Sequence, residues 1–256
     1  MRRSIFILLA IFLVACSGRE ELSPIELIAH GGGGIESHRY TNSLEAIKKS
    51  VANGYRYIEI DFSITSDSIM VAAHDWELFN KITGFEHKGD TVPTFADFSS
   101  RRILGKYTPL SAADINEIFE NDTTIYLVTD KISSPELLAR NFPHLKKRTL
   151  VEAFSYEDYA ELRSQGYYRV FYSCMATDLN ESLVKHLLLH PFFRGPKIDW
   201  ITMYVGGLDN MAFRIIDALA TFNIALFTVN NYTEIPCNKF HDVDRVKMIY
   251  TDDIKP

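Results

Sequence analysis

With 256 residues, 46% of them hydrophobic and 23% charged, the chain has room for one large α/β barrel or two small domains, and its core needs neither disulfides nor a structural zinc. A formal charge of −6 and the lack of a Lys/Arg-rich stripe argue against a nucleic-acid partner, because binding a phosphate backbone needs a basic surface.

The amino terminus has the layout of an export signal. Arg2 and Arg3 precede an apolar run over residues 5–15, which closes on Leu13-Val14-Ala15-Cys16. The run is shorter than the about 20 residues a membrane-spanning helix needs. A cysteine directly after Leu-Val-Ala resembles the lipobox of bacterial lipoproteins. That resemblance implies a signal peptide over 1–15, lipidation at Cys16 and a polar tether over 16–24. The protein is then expected in a bacterial cell envelope, held at a membrane by its N-terminal lipid anchor, with residues 25–256 as its folded domain. Cys174 and Cys237 read as buried free thiols, since nothing in their spacing demands a disulfide.

From Ile25 onward, β-rich runs alternate with amphipathic stretches, the pattern of βα units around a parallel sheet. The strand-like runs fall at residues 25–30, 56–62, 69–73, 124–129, 148–153, 168–173, 199–203, 224–229 and 247–250. Asn42-Ser43, Ser111 and Ser155 open helices as caps, and Glu157 and Asp158 favour the first turn after Ser155. Residues 63–68 form too short a connection for a parallel crossover, which takes about a dozen residues, so 69–73 must fold back as a hairpin. A two-residue turn at Asp67-Ser68 pairs Ser66 with Ile69 and brings His74 opposite Asp61. Eight strands with helical crossovers then remain, an α/β fold of the (β/α)8 TIM-barrel type with its active site at the carboxyl ends of the strands. Residues 76–108 read as a long loop placed to roof the pocket. Trp76, Phe79 and Phe85 read first as core or lid packing, with lining of the pocket roof as the alternative.

His30 closes the first strand and leads into Gly31-Gly32-Gly33-Gly34, where the backbone can approach a ligand closely. In Tyr57-Ile58-Glu59-Ile60-Asp61-Phe62 the two acids share one face and the apolar residues the other. Two carboxylates inside a barrel call for a compensating cation, and oxygen ligands suit Mg²⁺ or Ca²⁺. His74-Asp75 adds a second histidine able to move a proton beside a bound phosphate.

These residues, as Ala29-His30-Gly31, Tyr40-Thr41-Asn42-Ser43, Glu59-Ile60-Asp61 and His74-Asp75, resemble the glycerophosphodiester phosphodiesterase family. The likeness continues through Asp130-Lys131, Glu152-Ala153-Phe154, Phe227-Thr228-Val229-Asn230 and Ile249-Tyr250-Thr251-Asp252. It implies a phosphoric diester hydrolase whose divalent metal, Mg²⁺ or Ca²⁺, is held by Glu59 and Asp61. His30 and His74 would act as acid and base, and Lys131 would neutralise phosphate charge. The implied substrate is a small-molecule glycerophosphodiester, cleaved to a phosphomonoester and an alcohol.

Three positions depart from the family pattern. Gly31 replaces an arginine, Thr41 replaces a glutamate, and Thr129 stands where the third acidic ligand is expected, two residues before the lysine. Strict alternation turns Asp130 away from Lys131, so either the strand ends irregularly and Asp130 reaches the metal, or the third ligand comes from elsewhere. Arg39 is a candidate substitute for the missing arginine in binding substrate. Two further readings keep the barrel: cleavage of intact phospholipid, and a surface-binding lipoprotein without catalysis.

Overall fold

The computed structural model describes residues 25–174, 195–209 and 211–256. The expected leader, Cys16 and the tether lie outside the described residues. No helix among those described is long and apolar enough to cross a membrane.

Nine strands form at the nine expected places: β1 (Glu26–Ala29), β2 (Tyr57–Ile64), β3 (Met70–Ala72), β4 (Tyr126–Asp130), β5 (Thr149–Ala153), β6 (Arg169–Cys174), β7 (Trp200–Tyr204), β8 (Asn223–Phe227) and β9 (Val246–Thr251). Eight of them run parallel in the order β1-β9-β8-β7-β6-β5-β4-β2, and pairing of β1 with β2 closes the barrel. With helices on its flanks this is a (β/α)8 TIM barrel. β3 lies antiparallel on β2, outside the closed sheet.

Strand alternation sorts the core into two layers. Ile28, Tyr57, Val128, Leu150, Phe171, Ala225 and Met248 meet inside the barrel, one from each strand, with Trp200 of β7 packed against them. Their neighbours in sequence, such as Ile58, Ile60, Phe62, Leu127 and Val151, join the larger cluster beneath the helices. Glu59 and Asp61 share the parity of Tyr57, so the strand that puts isoleucines under the helices aims both acids into the barrel.

The helices start where capping chemistry directs. Ser43, Ser111 and Ser155 each accept a hydrogen bond from the third residue of α1 (Leu44–Ala52), α4 (Ala112–Asn121) and α6 (Tyr156–Ser164). Ser111 and Asp114 complete a reciprocal capping box.

The hairpin forms with a register one residue from the expected one. Thr65, not Ser66, faces Ile69, and its N–H donates to the Ile69 carbonyl at 2.9 Å. The loop is longer because Ser68 takes φ 66° and Thr65 Oγ1 bonds Asp67, which favours a three-residue turn over a two-residue one. Phe62 therefore pairs with Ala72, and Ala73 donates to the Asp61 carbonyl at 3.0 Å. His74 is carried to the Asp61 side because β3 ends and the chain turns into α2 (Trp76–Ile82), which Asp75 caps through the Leu78 N–H at 2.7 Å.

Residues 76–108 are not one long loop. They hold α2 and α3 (Phe95–Ser100), capped by Asp75 and Thr94. Helices of seven and six residues are too short to show periodicity in sequence. Phe79 and Phe98 stack at 4.6 Å in a small core with Ile35, Val71, Ile103 and Tyr107. Arg101 sits 4.0 Å over the Phe85 ring and bonds Asp97 and Asn80. Trp76, Phe79 and Phe85 are thus packing residues, and none lines the central cavity. Cys174 is a buried free thiol as expected, whereas Cys237 is free but exposed.

This satellite core anchors the segment that carries His74. Phe98→Ala is expected to lower the free energy of unfolding by about 3–5 kcal/mol in urea denaturation. A loss below about 1 kcal/mol would show that the stacked pair does not hold the excursion.

Candidate active site

The carboxyl ends of the strands surround a cavity of about 320 Å³, at the small end of the range for small-molecule sites. His30, Glu59, Asp61, His74, Asp130 and Lys131 all line it. Arg39 does not: its guanidinium pairs with Asp253 at 2.6 Å and Asp252 at 3.5 Å, which draws it away from the mouth.

The loop after β1 builds the floor through its backbone. Gly31 takes φ 57° and donates its N–H to Glu59 Oε2 at 2.6 Å. Its carbonyl accepts the Asn42 N–H at 2.9 Å. Asn42, itself at φ 48°, donates from Nδ2 to Asp61 Oδ2 at 2.9 Å and accepts the Asp61 N–H at 3.0 Å. A Cβ on Gly31 would lie 2.8 Å from Tyr40 Cα. The glycine that replaces arginine is therefore required by the close passage of Tyr40, whose ring stands 4.6 Å from His30 and 5.3 Å from His74.

Glu59, Asp61 and Asp130 each place a carboxylate oxygen within 4.8 Å of the others. Asp130 pairs with Asp61 in the β2–β4 ladder and shares the inward parity of Val128. Thr129 pairs with Ile60 and faces the helix layer, which is why that position carries no acid. The irregularity falls one residue later. Lys131 adopts φ 69°, which returns its side chain to the cavity, with Nζ 3.6 Å from Asp130 Oδ2. A left-handed residue thus brings two adjacent residues into one site, which alternation alone forbids.

Glu59 and Asp61 are each 1% exposed, and Glu59 Oε1 is buried without a hydrogen-bond partner. An orphaned carboxylate oxygen beside two more carboxylates fits a hard divalent cation. Burial pushes Glu59 well above the ordinary carboxyl range, and Asp61 and Asp130 add to the effect. Burial and then Asp130 raise Asp61 as well. Lys131 loses some basicity to burial, but Asp130, Asp61 and Glu59 outweigh it and raise its pKa.

Each histidine is held through Nδ1. His30 Nδ1 lies 3.5 Å from Asp252 Oδ1 and 3.2 Å from Thr228 Oγ1, while His74 Nδ1 lies 2.5 Å from Asp75 Oδ2. Asp252 is fixed in turn by Asn230, which donates from Nδ2 at 3.1 Å and accepts the Asp252 N–H at 2.8 Å. This leaves Nε2 of both rings as the nitrogen available for proton transfer.

Sequence reasoning placed Tyr40, Glu152, Phe154, Thr228 and Tyr250 in family-like segments without giving them a role in the cavity, and it missed Tyr204. Glu152 follows the inward parity of Leu150, so alternation along β5 was the signal for it. Tyr250 donates to Glu152 at 2.6 Å and Thr202 donates at 3.1 Å. Burial, with Asp130 second, pushes Glu152 up to about 8.

In ion-free protein these raised carboxyls hold protons that the unfolded chain has already released. Stability is therefore greatest near the ordinary carboxyl range and falls as pH rises towards about 8, where Glu152 ionises. Each such proton contributes a slope of up to about 1.4 kcal/mol per pH unit. Urea unfolding in EDTA from mildly acidic to mildly alkaline pH is expected to show that decline, and a flat or rising profile contradicts it.

The Glycerophosphoryl diester phosphodiesterase family profile matches residues 33–168, just over half of the chain. Human glycerophosphodiester phosphodiesterase 1 is 37% identical over 79 residues, 28% of this chain and 23% of that protein, so the match spans under a quarter of the relative's length. The solved glycerophosphodiester phosphodiesterase from Thermotoga maritima superposes with a TM-score of 0.60 at 16% identity, covering 90% of this chain and 96% of that one. An Oleispira antarctica phosphodiesterase in complex with the product sn-glycerol-3-phosphate has a TM-score of 0.60 at 16% identity, covering 89% and 92%. These likenesses show a shared fold, and the profile match shows the kinship: the chain belongs to the glycerophosphoryl diester phosphodiesterase family.

Proposed function

We propose that the protein hydrolyses a glycerophosphodiester to a phosphomonoester and an alcohol, in a metal-dependent reaction with His30 and His74 as acid and base. One observation carries this reading: two histidines, His74 held by Asp75 and His30 held by Thr228 with Asp252 beside it, flank a buried trio of acids with an orphaned oxygen. Glu59, Asp61 and Asp130 would hold the ion. A divalent cation bound there, Mg²⁺ or Ca²⁺, supplies Lewis-acid polarisation of the phosphoryl group.

The remaining chemistry belongs to the side chains. Lys131 Nζ offsets charge on the non-bridging oxygens. One histidine takes the proton from the attacking hydroxyl, through the ring nitrogen left free when Nδ1 is engaged by Asp75 or Thr228. The attacking group is the substrate's own neighbouring hydroxyl or a water. The other histidine returns a proton to the leaving alkoxide, and Asp75 and Asp252 stabilise each imidazolium as it forms. Tyr40, wedged between the two rings, keeps them apart and limits water around them.

Two observations bear on the alternatives. Histidines whose Nδ1 is engaged, His74 by Asp75 and His30 by Thr228, favour turnover over binding alone. A short match to mouse lysophospholipase D GDPD3, 38% identical over 60 residues, leaves lipid-borne diesters within the class of substrates. The Arg2-Arg3 start, the apolar run and Cys16 support an exported, lipid-anchored protein of the bacterial envelope.

Purified protein is expected to release phosphomonoester from glycerophosphodiesters with Mg²⁺ or Ca²⁺ and to lose that activity in EDTA. His30→Ala and His74→Ala should each lower kcat by about 10²–10⁴. Activity that survives both substitutions, or that is indifferent to EDTA, would overturn the reading.

A further inference from the structure

The two ends of the barrel carry different surfaces. Acids and histidines gather at the carboxyl ends of the strands. The entry ends of β2, β4, β5, β6 and β7, consecutive neighbours in the sheet, carry aromatic rings and cations instead. Tyr57, Tyr126 and Tyr168 form a row with ring centroids 5.2 and 5.0 Å apart. Arg56 lies 5.6 Å over the Tyr126 ring, and Arg169 lies 5.3 Å over Tyr168 and 4.1 Å over Trp200. Lys146, just before β5, accepts the Tyr168 N–H at its carbonyl and holds its ammonium 5.3 Å over Tyr167.

Part of this plate is a plug for the barrel. Arg169 is mostly buried and lies 3.6 Å from Glu26, which also accepts the Tyr57 hydroxyl at 2.8 Å. Barrel packing does not account for the rest. Tyr168 is 42% exposed, and Arg56 and Lys147 are open to solvent. Among the described residues, no carboxylate pairs with Arg56, Lys146 or Lys147. The acids at the entries of β1 and β7 are already engaged, Glu26 by Arg169 and Asp199 by Arg163 at 3.1 Å. An acidic chain, of formal charge −6, thus keeps cations without ion-pair partners on this one face.

The course of the chain brings a membrane to the same face. β1 enters here with Glu26 and delivers His30 to the catalytic end. Ile25, Arg56 and Tyr57 line one hollow of about 300 Å³. A lipid on Cys16 would therefore be tethered beside the plate, through the 16–24 segment, whose fullest reach is about 30 Å. Tyrosine, tryptophan and arginine together suit the headgroup layer. Rings bury their apolar bodies there while their polar tips stay wet, and each cation is drawn to anionic lipid.

We propose that this strand-entry face is a membrane-docking surface for anionic phospholipid headgroups, and that it stands the barrel on the bilayer with its catalytic mouth open to solution. The choice of occupant rests on the lipid-anchor reading; the surface itself is independent of phosphodiester turnover.

The test uses the mature chain from residue 16 carrying Cys16→Ser, so that no attached lipid assists binding. Vesicles containing phosphatidylglycerol should bind it at least about tenfold more tightly than pure phosphatidylcholine, and added salt should weaken the binding. Arg56→Glu combined with Lys147→Glu should lower that affinity by at least about tenfold, since each cation near the surface contributes about fivefold. Lys81→Glu combined with Arg102→Glu, at exposed cations of the 76–108 excursion, should have little effect. Orientation is read from the chain's two tryptophans. On vesicles with dansyl-labelled headgroups, energy transfer should be stronger from Trp200, the tryptophan left in Trp76→Phe, than from Trp76 in Trp200→Phe. No preference for anionic vesicles, an equal loss in the two double variants, or transfer as strong from Trp76 as from Trp200 would overturn the surface. None of these readouts involves turnover, so failure of the phosphodiesterase reading is told apart by its own assay.

Discussion

Glu59 and Asp61 sit inside a barrel at 1% exposure each, with Asp130 beside them. Leaving water costs an ionised carboxylate several kcal/mol unless partners replace its hydration, and here they do so only in part. Gly31 N–H and Asn42 Nδ2 serve one oxygen of each acid, while Glu59 Oε1 is left with none. Much of the surrounding architecture answers this constraint. The loop after β1 folds over β2 to bring those donors, and positive φ at Gly31, Tyr40 and Asn42 is what lets it do so. The acids therefore organise the loop as much as the loop presents the acids.

Departures from the family pattern become local rearrangements in this light. Gly31 and Tyr40 are coupled, because a side chain on the first would meet the backbone of the second. Tyr40 in turn spaces the two catalytic candidates His30 and His74. The missing acid at Thr129 is a shift of one residue: the acid moves to the inward position 130, and the left-handed Lys131 restores the lysine to the same cavity. Both adjustments confine backbone strain to a few left-handed residues, about 1–3 kcal/mol for each that is not glycine, and leave the β2–β4 register regular.

Period-two and capping signals made most of the fold legible in sequence. All nine strands and the starts of α1, α4 and α6 follow from them, as does the inward aim of Glu59 and Asp61. The hairpin itself was legible from its short connection, but its register was not, because Ser68 at φ 66° adds a residue that composition does not announce. The helices of the 76–108 excursion escaped because neither reaches three turns. At the site, His30, His74 and the acids could be read from local motifs, whereas Tyr40, Tyr204 and Tyr250 come together only through closure of the barrel. Arg39 shows the converse: nearness in sequence suggested a role that its ion pairs with Asp252 and Asp253 do not support.

The central claim is that the orphaned oxygen of Glu59 marks a divalent-cation site. Calorimetric titration of Mg²⁺ and of Ca²⁺ into metal-stripped protein, beside Glu59→Gln, tests it without reference to any substrate. Saturable binding of one ion per chain in the wild type, weakened at least about tenfold by the substitution, is the result expected of a carboxylate ligand. Absence of saturable binding of either ion, or equal affinity in the two proteins, would contradict it.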